Sequence, residues 1–194
     1  MATFAPFASA PQRVPLWLNL LAFQGLWWTT ILSVAEGQVW IGPGLALLAA
    51  AAQLAWLPDR GAELRLWLWV VLPGVLIDSA LAAGGGFGFP NDRWLMGSLP
   101  PWMGGLWLGF ALTVRHGLAW LHGRPVVAAL FGLIGGPATY LGGAKLGALT
   151  IGTPQLLWLS ALGSGWAIAC ALWFGRPLQA AGSLPAAAQA PARP

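Results

Sequence analysis

The chain has 194 residues, of which 58% are hydrophobic and only 7% charged, and its mean hydropathy is +0.71. Soluble domains carry about a quarter charged residues, so a water-exposed globule is excluded and a lipid bilayer must cover most of the surface. The formal charge of +4 comes from nine Lys/Arg placed singly, with no basic run or face, and this excludes a nucleic-acid partner.

Residues 1–13 form a short N-terminal segment without an apolar signal-peptide core, and Arg13 stands directly before the first long hydrophobic stretch. That stretch is expected to act as an uncleaved signal-anchor. Crossing the hydrocarbon core takes about 20 mostly apolar residues. Six segments qualify: residues 14–35, 39–57, 66–83, 102–121, 125–149 and 155–174. Turn chemistry separates them, as at Glu36-Gly37, Pro58-Asp59-Arg60-Gly61, Gly84-Gly85-Gly86, Pro100-Pro101, His122-Gly123-Arg124-Pro125 and Gly152-Thr153-Pro154. The expected architecture is an all-α polytopic transmembrane bundle of six helices within residues 14–175. An Ala/Pro-rich tail, 176–194, is expected to be disordered.

Cations set the orientation. With the N-terminus in the cytoplasm, Arg13, Arg60, Arg65, Arg124, Arg176 and Arg193 all fall on the cytoplasmic side, and Arg93 alone falls opposite. Short loops with this bias predict both ends inside. Helix five is dense in glycine and alanine, from Gly132 to Gly147, and is expected at the bundle centre because close backbone approach holds membrane helices together.

Ionisable side chains inside a span are functional candidates by default. Four fall in the predicted spans: Asp78, Arg115, His116 and Lys145. Asp78 sits about 18 Å from the cytoplasmic end of its helix by rise per residue. Its short carboxylate cannot reach the headgroups there, so it must be protonated, paired or solvated. Lys145, near the outer boundary, is its expected cationic partner. Arg115 is expected to snorkel to the cytoplasmic headgroups. His116 is expected in an inner polar layer with Gln24 and Thr113, and Asp78 in an outer one with Ser79, Thr29, Tyr140 and Lys145. Among the 14 tryptophans, Trp27, Trp28, Trp107, Trp158 and Trp166 lie deep enough to line a pocket or pack between helices.

Several chemistries are excluded. Cys170 is the only cysteine, so neither an intrachain disulfide nor a Cys-based metal site can form, and two histidines are too few for a di-iron cluster. No nucleophile-elbow, zincin or P-loop motif occurs. No metal or cofactor is expected.

The pattern Asn19, Phe23-Gln24 and Trp27, then Asp78-Ser79, then Leu106-Trp107, Phe110 to Thr113, His116 and Trp120-Leu121 is distinctive. With Gly135-Gly136-Pro137, Tyr140, Gly143 and Leu146 to Ala148, it resembles a family of bacterial inner-membrane proteins. That family is known as a domain of unknown function, number two-eight-seven-eight. The resemblance covers roughly residues 15–175 and implies a multi-pass protein of the bacterial inner membrane without an assigned activity. Genes of the family often neighbour genes for fatty-acyl modification and for oxidative or light stress, which points to lipids.

The functional expectation is an intramembrane polar cavity for a lipophilic acyl or isoprenoid substrate. His116 is the acid/base candidate, Asp78 and Lys145 an electrostatic pair, and Gln24, Thr113, Tyr140 and Trp107 the substrate-binding residues. Two alternatives stand beside it. One is an accessory or assembly subunit that meets a membrane-protein partner or a second copy of itself; the other is a small permease using Asp78 as its ion site. Whether the chain is an enzyme stays open.

Overall fold

The computed structural model describes residues 14–90 and 99–176. The N-terminal segment 1–13, the loop around Arg93 and the tail beyond residue 176 lie outside the described residues. Six helices run in chain order: α1 (Leu16–Ala35), α2 (Ile41–Trp56), α3 (Arg60–Ala83), α4 (Pro101–Ala111), α5 (Pro125–Lys145) and α6 (Gln155–Phe174). Two short strands, β1 (Phe87–Gly88) and β2 (Thr150–Ile151), pair antiparallel and tie the connection after α3 to the one before α6.

Local chemistry explains the boundaries. Pro101 and Pro125 stand at the first positions of α4 and α5, where the missing N–H has no helical partner to lose. The Asp59 carboxylate accepts the Ala62 N–H at 2.9 Å and caps α3, so this helix starts six residues before the expected Leu66. After α1, Gly37 takes φ +82°, a conformation that favours glycine, and turns the chain towards α2.

By length and composition, α1, α3, α5 and α6 suffice to cross a membrane, whereas α2 has 16 residues and α4 only 11. The continuous helix expected over residues 102–121 is therefore corrected. The chain leaves the α-helix after Ala111, passes through turns to Leu118 and closes with one 3-10 turn at Ala119–Leu121. Irregular backbone at this depth needs partners from within the protein. Asn19 supplies two of them: its Nδ2 donates to Leu112 O at 3.1 Å and its Oδ1 accepts Gly117 N–H at 2.9 Å.

Two prolines inside helices free carbonyls in the same way. Pro73 leaves Trp69 O without its helical donor, and the Trp173 indole N–H on α6 donates to that oxygen at 3.2 Å. Pro137 frees Leu133 O, against which Gly163 of α6 packs so closely that a Cβ there would lie 3.0 Å from the oxygen.

The centre of the bundle is α4, packed against α1, α2 and α3 with Trp102, Met103, Trp107 and Phe110 buried. Helix α5 packs chiefly on α6, which corrects its expected central place. Its glycines do act as expected in one respect: Gly132 and Gly136 bring α5 against the backbone and ring of Trp166. Outward-facing Leu18, Leu21, Leu47, Leu76, Ile134 and Ile168 remain exposed, a surface suited to lipid.

The ends of the bundle are chemically distinct. Val14, Glu63, the turns at 112–118 and Phe174 gather at one end, where Val14 N–H meets His116 and Gly123 N–H donates to Phe174 O at 2.8 Å. Arg60, Arg65, Arg124 and Arg176 are exposed at this basal end. The strand pair, Glu36 and Lys145 mark the other.

Candidate functional site

Two polar centres occupy the interior, both anchored on α3. Glu63 and Asp78 are 15 residues apart on that helix, about 22 Å by rise per residue. They are therefore separate sites.

The upper centre is built on Asp78, which is 0% exposed. Trp107 of α4 donates its indole N–H to Asp78 Oδ2 at 2.6 Å, and the Tyr140 hydroxyl of α5 donates to the same oxygen. Gly74, one turn before Asp78 on α3, allows this approach, because a Cβ there would overlap the Trp107 ring. The other oxygen, Oδ1, is buried without a hydrogen-bond partner. The expected ion pair with Lys145 is absent: that side chain is exposed at the C-terminal end of α5 and makes no salt bridge with Asp78. Neutral donors, not a cation, hold this carboxyl group.

Trp107 and Tyr140 also form part of the wall of a cavity of about 200 Å³. Trp107 stacks on Trp166 with ring centroids 4.6 Å apart, and Phe110 meets Trp166 edge-on at 5.2 Å. Phe23 and Trp27 from α1, Trp102 and Leu106 from α4, and Phe131 from α5 complete an almost wholly aromatic and aliphatic lining. Polar groups are few. Gln24 on α1 and Thr139 on α5 are exposed and flank the cavity, and Thr139 donates to Gly136 O at 2.7 Å. The helices α1 and α5 approach where Trp27 faces Gly142. At Gly135, which also lines the cavity, an added Cβ would meet nothing within 4 Å. The cavity thus leaves free space beside Gly135.

The lower centre contains a residue that sequence reasoning missed. Glu63 is 1% exposed and forms a 2.8 Å salt bridge to Arg115 Nη1, itself 2% exposed. Gln53 Nε2 of α2 donates to Glu63 Oε2 at 3.4 Å, and His116 Nε2 lies 3.9 Å from the same oxygen. The expected snorkelling of Arg115 is corrected, because its guanidinium turns inward to a carboxylate. Nor does His116 share a layer with Gln24. Its Nδ1 accepts the Val14 N–H at 3.3 Å, while Thr113 donates to Phe110 O at 2.6 Å and Gln24 belongs to the aromatic cavity.

The structure therefore gathers Asp78, Trp107, Tyr140 and Gln24 around one cavity and leaves His116 and Thr113 at the basal centre, with Lys145 at the surface. Among the described residues no group of three or more His, Cys, Asp or Glu is arranged to hold a metal ion.

Together these features define a multi-pass helical membrane protein with two buried polar centres and an aromatic cavity. The residues that carry the family pattern lie on α1, α3, α4 with its following turns, and α5. The chain belongs to the family described as protein of unknown function (DUF2878), whose model matches residues 16–172. No curated protein and no solved structure matches it.

Proposed function

We propose that this protein binds a lipophilic molecule, an acyl chain or an isoprenoid, in the aromatic cavity, and that the molecule enters sideways from the bilayer between α1 and α5. The observation that carries this reading is the free space at Gly135 beside walls formed by Phe131, Trp27 and Trp107. Apolar lining with a few placed polar groups is the usual composition of a small-molecule site. In this reading Gln24 and Thr139 meet the ligand's polar end at the mouth. Asp78 is a positioning residue that fixes the Trp107 and Tyr140 walls, and His116 and Lys145 take no part. The orientation that fits the arginines has the basal end, and both termini, in the cytoplasm, and the family resemblance points to the bacterial inner membrane.

Native mass spectrometry of gently solubilised protein tests the proposal. The parent should carry a lipophile of one mass class. Gly135→Phe, whose Cβ meets nothing within 4 Å and whose ring takes up cavity space, should lose it while keeping its melting temperature. Equal ligand content in both proteins would overturn the proposal. A co-purifying membrane protein with an empty cavity would favour the accessory-subunit reading instead.

A further inference from the structure

The basal centre holds more hydrogen-bonding capacity than its contacts use. Val14 N–H donates to His116 Nδ1, so that nitrogen carries a lone pair and the neutral ring carries its hydrogen on Nε2. This Nε2 points towards Glu63 Oε2 across 3.9 Å, beyond hydrogen-bond length, and has no other partner although it is fully buried. Arg115 Nε is buried and unpartnered as well. The ring can take a second proton only on Nδ1, where it would confront the Val14 N–H donor to donor. Proton uptake and the Val14 bond therefore exclude each other.

The surroundings favour an exchange. Among the described residues, Glu63 of α3 faces the ring, Arg115 of the same turn segment pairs with Glu63 at 2.8 Å, α2 adds the uncharged Gln53, α1 Asn19, and the chain just before α1 the Val14 backbone. An imidazolium in this position gains a charge-assisted contact to Glu63 Oε2, which otherwise accepts only the long bond from Gln53. A neutral imidazole gains Val14 instead. We propose that the Glu63–Arg115–His116 cluster is a proton-binding site in which His116 Nδ1 exchanges the Val14 N–H for a proton, unfastening the entry to α1. Its ligand is the proton itself, and the site is independent of what occupies the aromatic cavity.

The test uses the full chain in lipid nanodiscs with isotope-labelled histidine, whose ring nitrogens report tautomer and charge by NMR. A His122→Gln variant leaves His116 as the single imidazole. As the medium is acidified, His116 should pass from the neutral form with bare Nδ1 to imidazolium, and the Val14 amide signal should move in step. Val14→Pro removes the N–H without entering the buried cluster. It should take the donor away from Nδ1, so that the Nδ1 signal of the neutral ring moves from the parent's position. A ring that stays neutral throughout, a Val14 signal that does not follow it, or a Val14→Pro Nδ1 signal identical to the parent's would each overturn the site.

Discussion

Replacing Arg115 by methionine should destabilise the protein severely, because the Glu63 carboxylate then stays behind in the bundle without its cation. The two charges are 2.8 Å apart and 1–2% exposed. At an effective dielectric constant of about 20 their attraction is about 6 kcal/mol, most of it offset by desolvation. Loss of one partner from such a pair costs about 3–5 kcal/mol, and Gln53, a neutral donor at 3.4 Å, replaces little of it. Glu63→Met should cost a similar amount, since it strands the guanidinium. The double variant Glu63→Met, Arg115→Met fills the same volume without charge and should recover most of the loss. Unfolding of the purified protein by SDS titration in mixed micelles measures all four corners of this cycle. An arginine that snorkels to the headgroups predicts a different outcome, in which Arg115→Met is nearly neutral and the double variant shows the plain sum. That result would refute the buried pair.

Other predictions follow from contacts just as local. Tyr140→Phe should lower stability by about 1–3 kcal/mol through the lost bond to Asp78, and Lys145→Met should give no rescue of Asp78→Asn in the same assay. Gly136→Ala and Gly117→Ala should both reduce the folded yield, since a Cβ would press on the Trp166 ring or on Asn19 and Leu20, whereas Gly143→Ala meets only ordinary contacts and should fold normally. Fusions of a cytoplasm-dependent reporter after Arg65, Arg124 and Arg176 should be active, and fusions at Gly37 and Thr153 silent; activity at Thr153 would reverse the orientation.

Helix placement was legible in the sequence because Gly and Pro stand where the chain turns: α1, α5 and α6 begin or end within a few residues of Pro15, Gly37, Pro125 and Pro154. The break after Ala111 was not, because residues 112–121 hold no proline and a single glycine to mark a helix end, and the groups that hold the open backbone are supplied by Asn19, more than 90 residues away. Glu63 escaped notice for a related reason. The apolar run begins at residue 66 and leaves Glu63 outside it, whereas the helix itself starts earlier, at the Asp59 cap. The importance of Asp78 could be read from its depth alone. Its partners could not, since Trp107 and Tyr140 lie 29 and 62 residues along the chain and a lysine is the more obvious guess for a carboxylate.

The proline in the middle of α3 has a mechanical consequence. Pro73 and Gly74 interrupt the ladder between the two polar centres, and such a pair is where a helix bends most easily. Here the joint is splinted from two sides: the Trp173 indole fastens Trp69 O below it, and the Trp107 ring fills the space over Gly74 while its N–H grips Asp78 above. Flexing α3 at this point would pull both indoles from their acceptors together. Asp78 thus sits on the far arm of a braced elbow, and the brace on that arm is itself a wall of the cavity.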